Sequence, residues 1–89
     1  MKIPDITLII TNWNGKDLLR ECLPSVLKAV AFDSKRQYEI MVVDDCSSDN
    51  SLEILEKEFP TVRRVKTPVN LGFQRANNYG IEQTQSRLV

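Results

Sequence analysis

The chain has 89 residues, 42% of them hydrophobic, with 12 basic against 12 acidic side chains, so one small domain with a modest core is expected, leaving little room for a complete two-substrate active site. A net charge of zero excludes the electrostatic route to nucleic acid or an anionic membrane, because neither partner would gain appreciable counterion release or surface attraction. Histidine is absent, which excludes Ser-His-Asp and Cys-His centres and His-containing zinc sites, and leaves Asp or Glu to act as general base.

The β-branched, nearly continuous apolar run Ile6-Thr7-Leu8-Ile9-Ile10-Thr11 predicts a central strand covered on both faces. It runs into the turn-forming cluster Asn12-Trp13-Asn14-Gly15. Leu19, Cys22, Leu23, Val26, Leu27 and Val30 recur at helical spacing, so residues 16–30 read as an amphipathic helix. Pro24 interrupts it; the missing N–H and the crowding of the Arg20 carbonyl predict a kink or two shorter pieces. Polar residues 32–37 form a loop, and Tyr38-Glu39-Ile40-Met41-Val42-Val43 a second apolar strand that stops at Asp44-Asp45. Ser47, Ser48, Asp49 and Asn50 offer N-caps, Asn50 with Glu53 has capping-box spacing, and Leu52, Leu55, Glu56 and Phe59 share the face of a helix closed by Pro60. Residues 62–66 make a weaker strand, its pattern broken by Arg63-Arg64, and Thr67-Pro68-Val69-Asn70 a loop. Phe73, Ala76, Asn77, Gly80, Ile81 and Thr84 define a third helix face, and Arg87-Leu88-Val89 reads as the opening of a further strand.

This alternation calls for an α/β architecture: a parallel sheet joined by right-handed crossovers, half of a doubly wound sheet and incomplete at the carboxyl end. Ligands of such sheets bind outside the carboxyl ends of the strands, near the point where strand order reverses. Thr11, with Asn12-Trp13-Asn14, follows the first strand and Asp44-Asp45 ends the second, so both clusters emerge at one edge. A carboxylate acceptor, a threonine hydroxyl and an indole match the imide N–H, the carbonyls and the flat face of a pyrimidine, as in a uridine or thymidine nucleotide. Asp45 is equally suited to a turn or a helix cap, Asp44 reads first as structural, and Trp13 could instead pack beneath its loop. Gly72 opens the third helix and would let an anionic ligand approach backbone N–H groups. Asn77, on the face shared with Phe73 and Ile81, needs hydrogen-bond partners, either loop backbone or a diphosphate-sugar. Cys22 and Cys46 have no second pair, so reduced thiols, buried or half-buried, are expected in place of zinc or a disulfide. Without a membrane-length apolar stretch or a signal peptide, the expected location is the cytoplasm, including the inner face of the membrane.

Four segments carry a resemblance: the strand ending Thr11-Asn12-Trp13-Asn14-Gly15, the helix with Glu21-Cys22-Leu23-Pro24-Ser25-Val26-Leu27, the strand end Val42-Val43-Asp44-Asp45-Cys46-Ser47-Ser48-Asp49, and Asn70-Leu71-Gly72-Phe73 followed by Ala76-Asn77-Asn78-Tyr79-Gly80-Ile81. In order and spacing they resemble family 2 glycosyltransferases, the last segment the rhamnosyltransferase-like branch. The resemblance implies a three-layer, Rossmann-like half of a GT-A fold. It also implies inverting transfer of a sugar from a nucleoside-diphosphate donor, UDP- or dTDP-linked, to a glycan or lipid-linked acceptor, with Mg2+ or Mn2+ in the intact parent. By that resemblance Thr11, Trp13 and Asp45 match nucleoside-contacting positions, Trp13 standing where tyrosine is more usual, and Asp44 falls in the same block.

The family's Asp-x-Asp metal motif and its carboxylate base belong further along than Val89. Residues 1–89 are therefore expected to be the amino-terminal nucleotide-sugar-binding portion of such a transferase, without turnover alone, binding no metal, and self-associating through an open sheet edge. Two other readings compete. A receiver-like signalling domain would place its acidic pair after the first strand and need later Asp and Lys residues that this pattern lacks, and a non-catalytic nucleotide-binding or assembly module would use the same pocket without chemistry.

Overall fold

Strands and helices alternate through residues 3–86, 88 and 89, which the computed structural model describes. The order is β1 (Ile6–Asn12), α1 (Lys16–Phe32), β2 (Tyr38–Asp44), α2 (Ser51–Glu58), β3 (Arg63–Lys66) and α3 (Phe73–Glu82). The three strands form a parallel sheet in the order β1-β2-β3, with Ile10 beside Val42, Asn12 beside Asp44 and Val43 beside Val65. Leu88 bridges Ile6 in parallel. The Thr7 amide donates to the Leu88 carbonyl at 2.9 Å and the Leu88 amide to the Asp5 carbonyl at 3.1 Å, so Leu88 stands on the side of β1 away from β2. Arg87, the first residue of the expected further strand, lies outside the described residues.

Successive side chains of β2 point to opposite faces and divide the core in two. Ile40 and Val42 pack with Leu19 and Leu23 of α1 and Leu55 of α2, whereas Met41 and Val43 pack with Ala76 of α3. The result is three layers, with α1 and α2 on one face and α3 on the other. Right-handed crossovers require this: the connections through α1 and α2 step along the sheet in one direction, and the connection through α3 returns past β1 to Leu88. Strand order therefore reverses at β1. Small residues let α3 lie close, since a Cβ at Gly80 would stand 2.6 Å from Cγ2 of Val43.

Several local expectations are corrected. Of the two outcomes expected at Pro24, separate pieces do not occur, since α1 is one element through it; Leu23, buried beside the proline, and Leu27, packed on the same core, hold both halves to the sheet. Cys22 is exposed and only Cys46 is half-buried, because Leu19 and Leu23 take the sheet-facing stripe of α1. The Asn50–Glu53 capping box does not form. Asp49 instead accepts the Ser51 hydroxyl and, at 3.0 Å, the Ser51 amide. Phe73 and Ile81 do not share a buried face with Asn77: they are 71% and 47% exposed, because Ala76 and Gly80 make the close approach to the sheet and larger side chains are displaced to the flank.

Candidate functional site

The ends of β1 and β2 are in register, so the loops that follow leave the sheet side by side at its carboxyl edge. Asp44 is fully buried there. Its Oδ1 accepts Asn12 Nδ2 at 2.9 Å and Ser47 Oγ at 2.6 Å, and its Oδ2 accepts the Ser47 amide at 3.0 Å. All of these donors belong to the protein, and strand alternation turns Asp44 toward the α1–α2 face. It joins two loops, which is the structural reading of this residue.

Asp45 turns the other way and reaches the β3–α3 loop. Its Oδ1 accepts Thr67 Oγ1 at 2.9 Å and the Leu71 amide at 2.7 Å, and its Oδ2 accepts the Gly72 amide at 2.8 Å. Burial opposes ionisation, but the Leu71 amide, the Thr67 hydroxyl and the Gly72 amide outweigh it and hold the carboxyl below its ordinary value. Two bonds occupy Oδ1 and one occupies Oδ2, leaving one acceptor direction open at Oδ2. Gly72 has φ 85° and ψ 161°, a region that side chains other than glycine enter only with strain. That conformation aims the amides of Leu71 and Gly72 at one carboxylate. It also starts α3 with no side-chain cap, leaving the amides of its first turn to other acceptors.

A cavity of about 290 Å3 opens between these loops, lined by Thr11, Trp13, Asp45, Asn70, Gly72 and Phe73. Trp13 is 61% exposed, so it does not pack beneath its loop; with Phe73 it gives the cavity two aromatic walls. Asn70 Nδ2 donates to the Asp45 carbonyl at 3.1 Å, fixing the third wall. The Thr11 hydroxyl donates to Asn77 Oδ1, tying the end of β1 to α3. Asn77 thus stands behind Thr11, where it lines a neighbouring groove of about 370 Å3 with Leu8, Ile9 and Ile81. Its side-chain oxygen is thus met by a side chain and not by the loop backbone.

Residues 7–89 match the sequence profile described as Glycosyl transferase family 2. The chain belongs to this family. It is 39% identical over 70 residues to a poly(ribitol-phosphate) beta-glucosyltransferase of Bacillus spizizenii, covering 75% of this chain and 11% of that protein. It is 33% identical over 88 residues to an uncharacterized glycosyltransferase of Haemophilus influenzae, covering 96% of this chain and 34% of the other. Among solved structures, Staphylococcus aureus TarS superposes with a TM-score of 0.75 at 25% identity, covering 96% of this chain and 16% of TarS. A Pyrobaculum calidifontis mannosyltransferase in complex with GDP-Man and Mn2+ superposes with a TM-score of 0.73 at 19% identity, covering 96% of this chain and 26% of that one. The layering is thus that of a GT-A fold, and the chain spans 11% to 34% of the length of each of these relatives.

For this glycosyltransferase chain the geometry sorts the candidate residues. Thr11, Trp13, Asp45 and Gly72 meet in one cavity, Asn77 joins it through Thr11, and Asp44 supports it from the opposite face. Asn70 and Phe73 also line it, although the sequence pattern placed them only in a loop and on a helix face. Their signal was their position on either side of Gly72, where the backbone must turn. A divalent cation does not fit these residues: no three acidic or cysteine side chains gather among the described residues, and the carboxylates of Asp44 and Asp45 are already held by protein donors. No helix among the described residues is long and apolar enough to cross a membrane.

Proposed function

We propose that the chain is the donor-nucleotide portion of an inverting glycosyltransferase and that the cavity receives the base of a UDP- or dTDP-sugar, dTDP-rhamnose being one such donor. The observation that carries this is the pairing of an ionised carboxylate having one open acceptor direction with two aromatic walls, at the carboxyl end of β1 where strand order reverses. A pyrimidine imide offers a single N–H to Asp45 Oδ2 and a flat face to Trp13 or Phe73. Guanine would present two adjacent donors to a carboxylate with room for one. The Gly72 turn and the uncapped start of α3 suit the diphosphate that follows the ribose, because free amides and the helix dipole favour an anion.

Transfer by direct displacement needs a carboxylate to deprotonate an acceptor hydroxyl, which attacks the anomeric carbon as the diphosphate leaves. Nothing in the cavity is placed to do this, since Asp45 is committed to the loop and to the base. These residues position the donor, and the 89-residue chain is expected to show no turnover. In the intact parent the acceptor is a glycan or lipid-linked precursor of a cell-envelope polymer, met at the cytoplasmic face of the membrane; the Bacillus spizizenii relative's name gives poly(ribitol-phosphate) for that protein. The outer edge of β1 beyond the Leu88 bridge and the exposed Phe73 and Ile81 also favour self-association of the chain, which sedimentation over a range of concentrations would detect.

The test is titration with UDP and dTDP, followed by calorimetry and by quenching of Trp13, the one tryptophan. Saturable quenching by both, weakened by about 1 to 3 kcal/mol in Asp45→Ala as a base donor loses its acceptor, is the expected result. Equal affinity of the Asp45→Ala chain would return Asp45 to a purely structural role. Absence of binding by either nucleotide, or sugar transfer by the chain itself, would overturn the reading.

A further inference from the structure

Residues 12–16 are fastened to residues 44–49 along nearly their whole length. Asn12 Nδ2 bonds Asp44 at 2.9 Å and Ser47 Oγ at 3.4 Å, and the Asp45 amide donates to the Asn12 carbonyl at 2.8 Å. The Lys16 amide donates to Asp49 Oδ2 at 3.3 Å. The densest link is Asn14. Its amide donates to Ser47 Oγ at 2.9 Å, and its Oδ1 accepts the Ser48 amide at 2.7 Å, the Asp49 amide at 3.1 Å and the Ser48 hydroxyl at 3.3 Å. Asn14 sits at φ 51°, a left-handed conformation that asparagine tolerates better than most residues. Gly15 lets the loop pass close to Asn12, because a Cβ there would stand 2.7 Å from Asn12 Oδ1. Between the two anchored asparagines lies Trp13, whose exposed side chain walls the cavity.

We infer that Asn14 is a positioning residue for Trp13. By capping the amides of Ser48 and Asp49 from across the gap, it ties the β1–α1 loop to the β2–α2 loop and fixes the direction in which the indole leaves the backbone. An exposed aromatic side chain otherwise samples several rotamers on the nanosecond scale, and a stacking wall is useful in proportion to how much of that freedom is removed before the ligand arrives. The effect on affinity rests on the nucleotide reading above; the effect on the indole does not.

The experiment uses the whole chain, with Trp13 as its own reporter. Asn14→Gly keeps access to positive φ but removes the acceptor, and Asn14→Asp keeps an acceptor at the same place. In Asn14→Gly, Trp13 anisotropy should fall and acrylamide quenching should rise, with UDP affinity reduced about tenfold by lost preorganisation. Asn14→Asp should restore both readings to near the wild type. Phe59→Ala, which weakens the same core at the opposite end of α2, should lower stability and leave anisotropy unchanged. If Asn14→Gly does not fold, Asn14→Ser, whose hydroxyl is one bond shorter than the carboxamide oxygen, reads the same quantity. Wild-type anisotropy in the folded Gly or Ser variant overturns the proposal even if UDP binds. Lowered anisotropy in a chain that binds no UDP supports the positioning role and removes only the reading of the ligand.

Discussion

The two ends of the sheet are both polar, but they are built differently. At the carboxyl end, Asp44 and Asp49 accept backbone amides of their own connection and Asp45 those of the β3–α3 loop, so side chains determine the path of the main chain. At the amino end the Thr7 hydroxyl meets Thr84, Ser86 and Glu39, and Arg63 reaches Glu39. There, side chains mostly satisfy one another. The contrast follows from the polarity of a parallel βα unit: helix N-termini with their unpaired amides stand over the carboxyl ends of the strands and call for acceptors there. A carboxylate at that edge therefore shapes a loop, and a shaped loop is what a ligand site requires. A hydroxyl cluster at the other edge can be rearranged without moving the backbone.

The largest expected effect is that of Asp44→Ala. Three donors, from Asn12 and Ser47, would lose a fully buried acceptor, at a cost of about 3 kcal/mol. Urea unfolding checks the magnitude, and a loss below about 1 kcal/mol would mean that water replaces the carboxylate and the edge is less rigid than the distances indicate. Acid is the next lever. The Asp45 and Asp49 carboxyls both lie below their ordinary value of 3.8 because amide and hydroxyl donors outweigh burial. A depressed folded-state value adds stability that is fully present above 3.8 and is lost as pH falls through the lower folded value. Stability should thus be flat near neutrality and decline below about pH 4, with Trp13 emission changing in the same range. A decline beginning near pH 6 would assign acid sensitivity to other groups.

The two-faced core was legible in Ile40 to Val43, where burial on both faces leaves an uninterrupted apolar run, whereas the similar run of β1, expected to be covered on both faces, is mostly half-buried. The shared edge was legible too, since strand ends carrying Thr11 and Asp45 in a parallel sheet must emerge together. Which carboxylate meets the cavity was less so: Asp44 and Asp45 are adjacent and chemically identical, and only the alternation of the strand sends one to each face. Partners far apart in sequence, such as Asn14 with Ser48 or Thr11 with Asn77, were hidden because nothing local marks them. The capping box failed for a local reason instead: Asp49 accepts the amide and hydroxyl of Ser51 two residues on, an Asx turn that competes with the motif. Exposure of Cys22 and Phe73 was missed because helical spacing identifies a stripe but not how wide a stripe the sheet covers.

At the amino end, Thr7→Val keeps the shape of a buried residue and removes one hydroxyl. Thr84 still bonds Glu39 at 3.3 Å and Ser86 at 3.2 Å, so the remaining groups stay partnered and the cost should be about 1 kcal/mol. Nucleotide affinity should not change in calorimetry, and a change would mean that α3 transmits strain from its last turn to Gly72.

The smallest effect expected is that of Arg63→Ala. Its guanidinium stands 3.4 Å from the Glu39 carboxylate, with 42% of the arginine side chain exposed, so solvent screens the pair and holding two long side chains together offsets much of the attraction. The cost should be about 0.5 kcal/mol or less, and it should fade further in high salt. Arg63 and Arg64 lie on β3, whose outer side carries no strand among the described residues, and charge on an edge strand discourages pairing with another chain. Arg63→Ala should therefore barely alter thermal unfolding while raising the tendency to aggregate at high concentration, measured by light scattering. If stability fell sharply instead, the Glu39 cluster would be a structural anchor comparable to Asp44, and the distinction between the two ends of the sheet would fail.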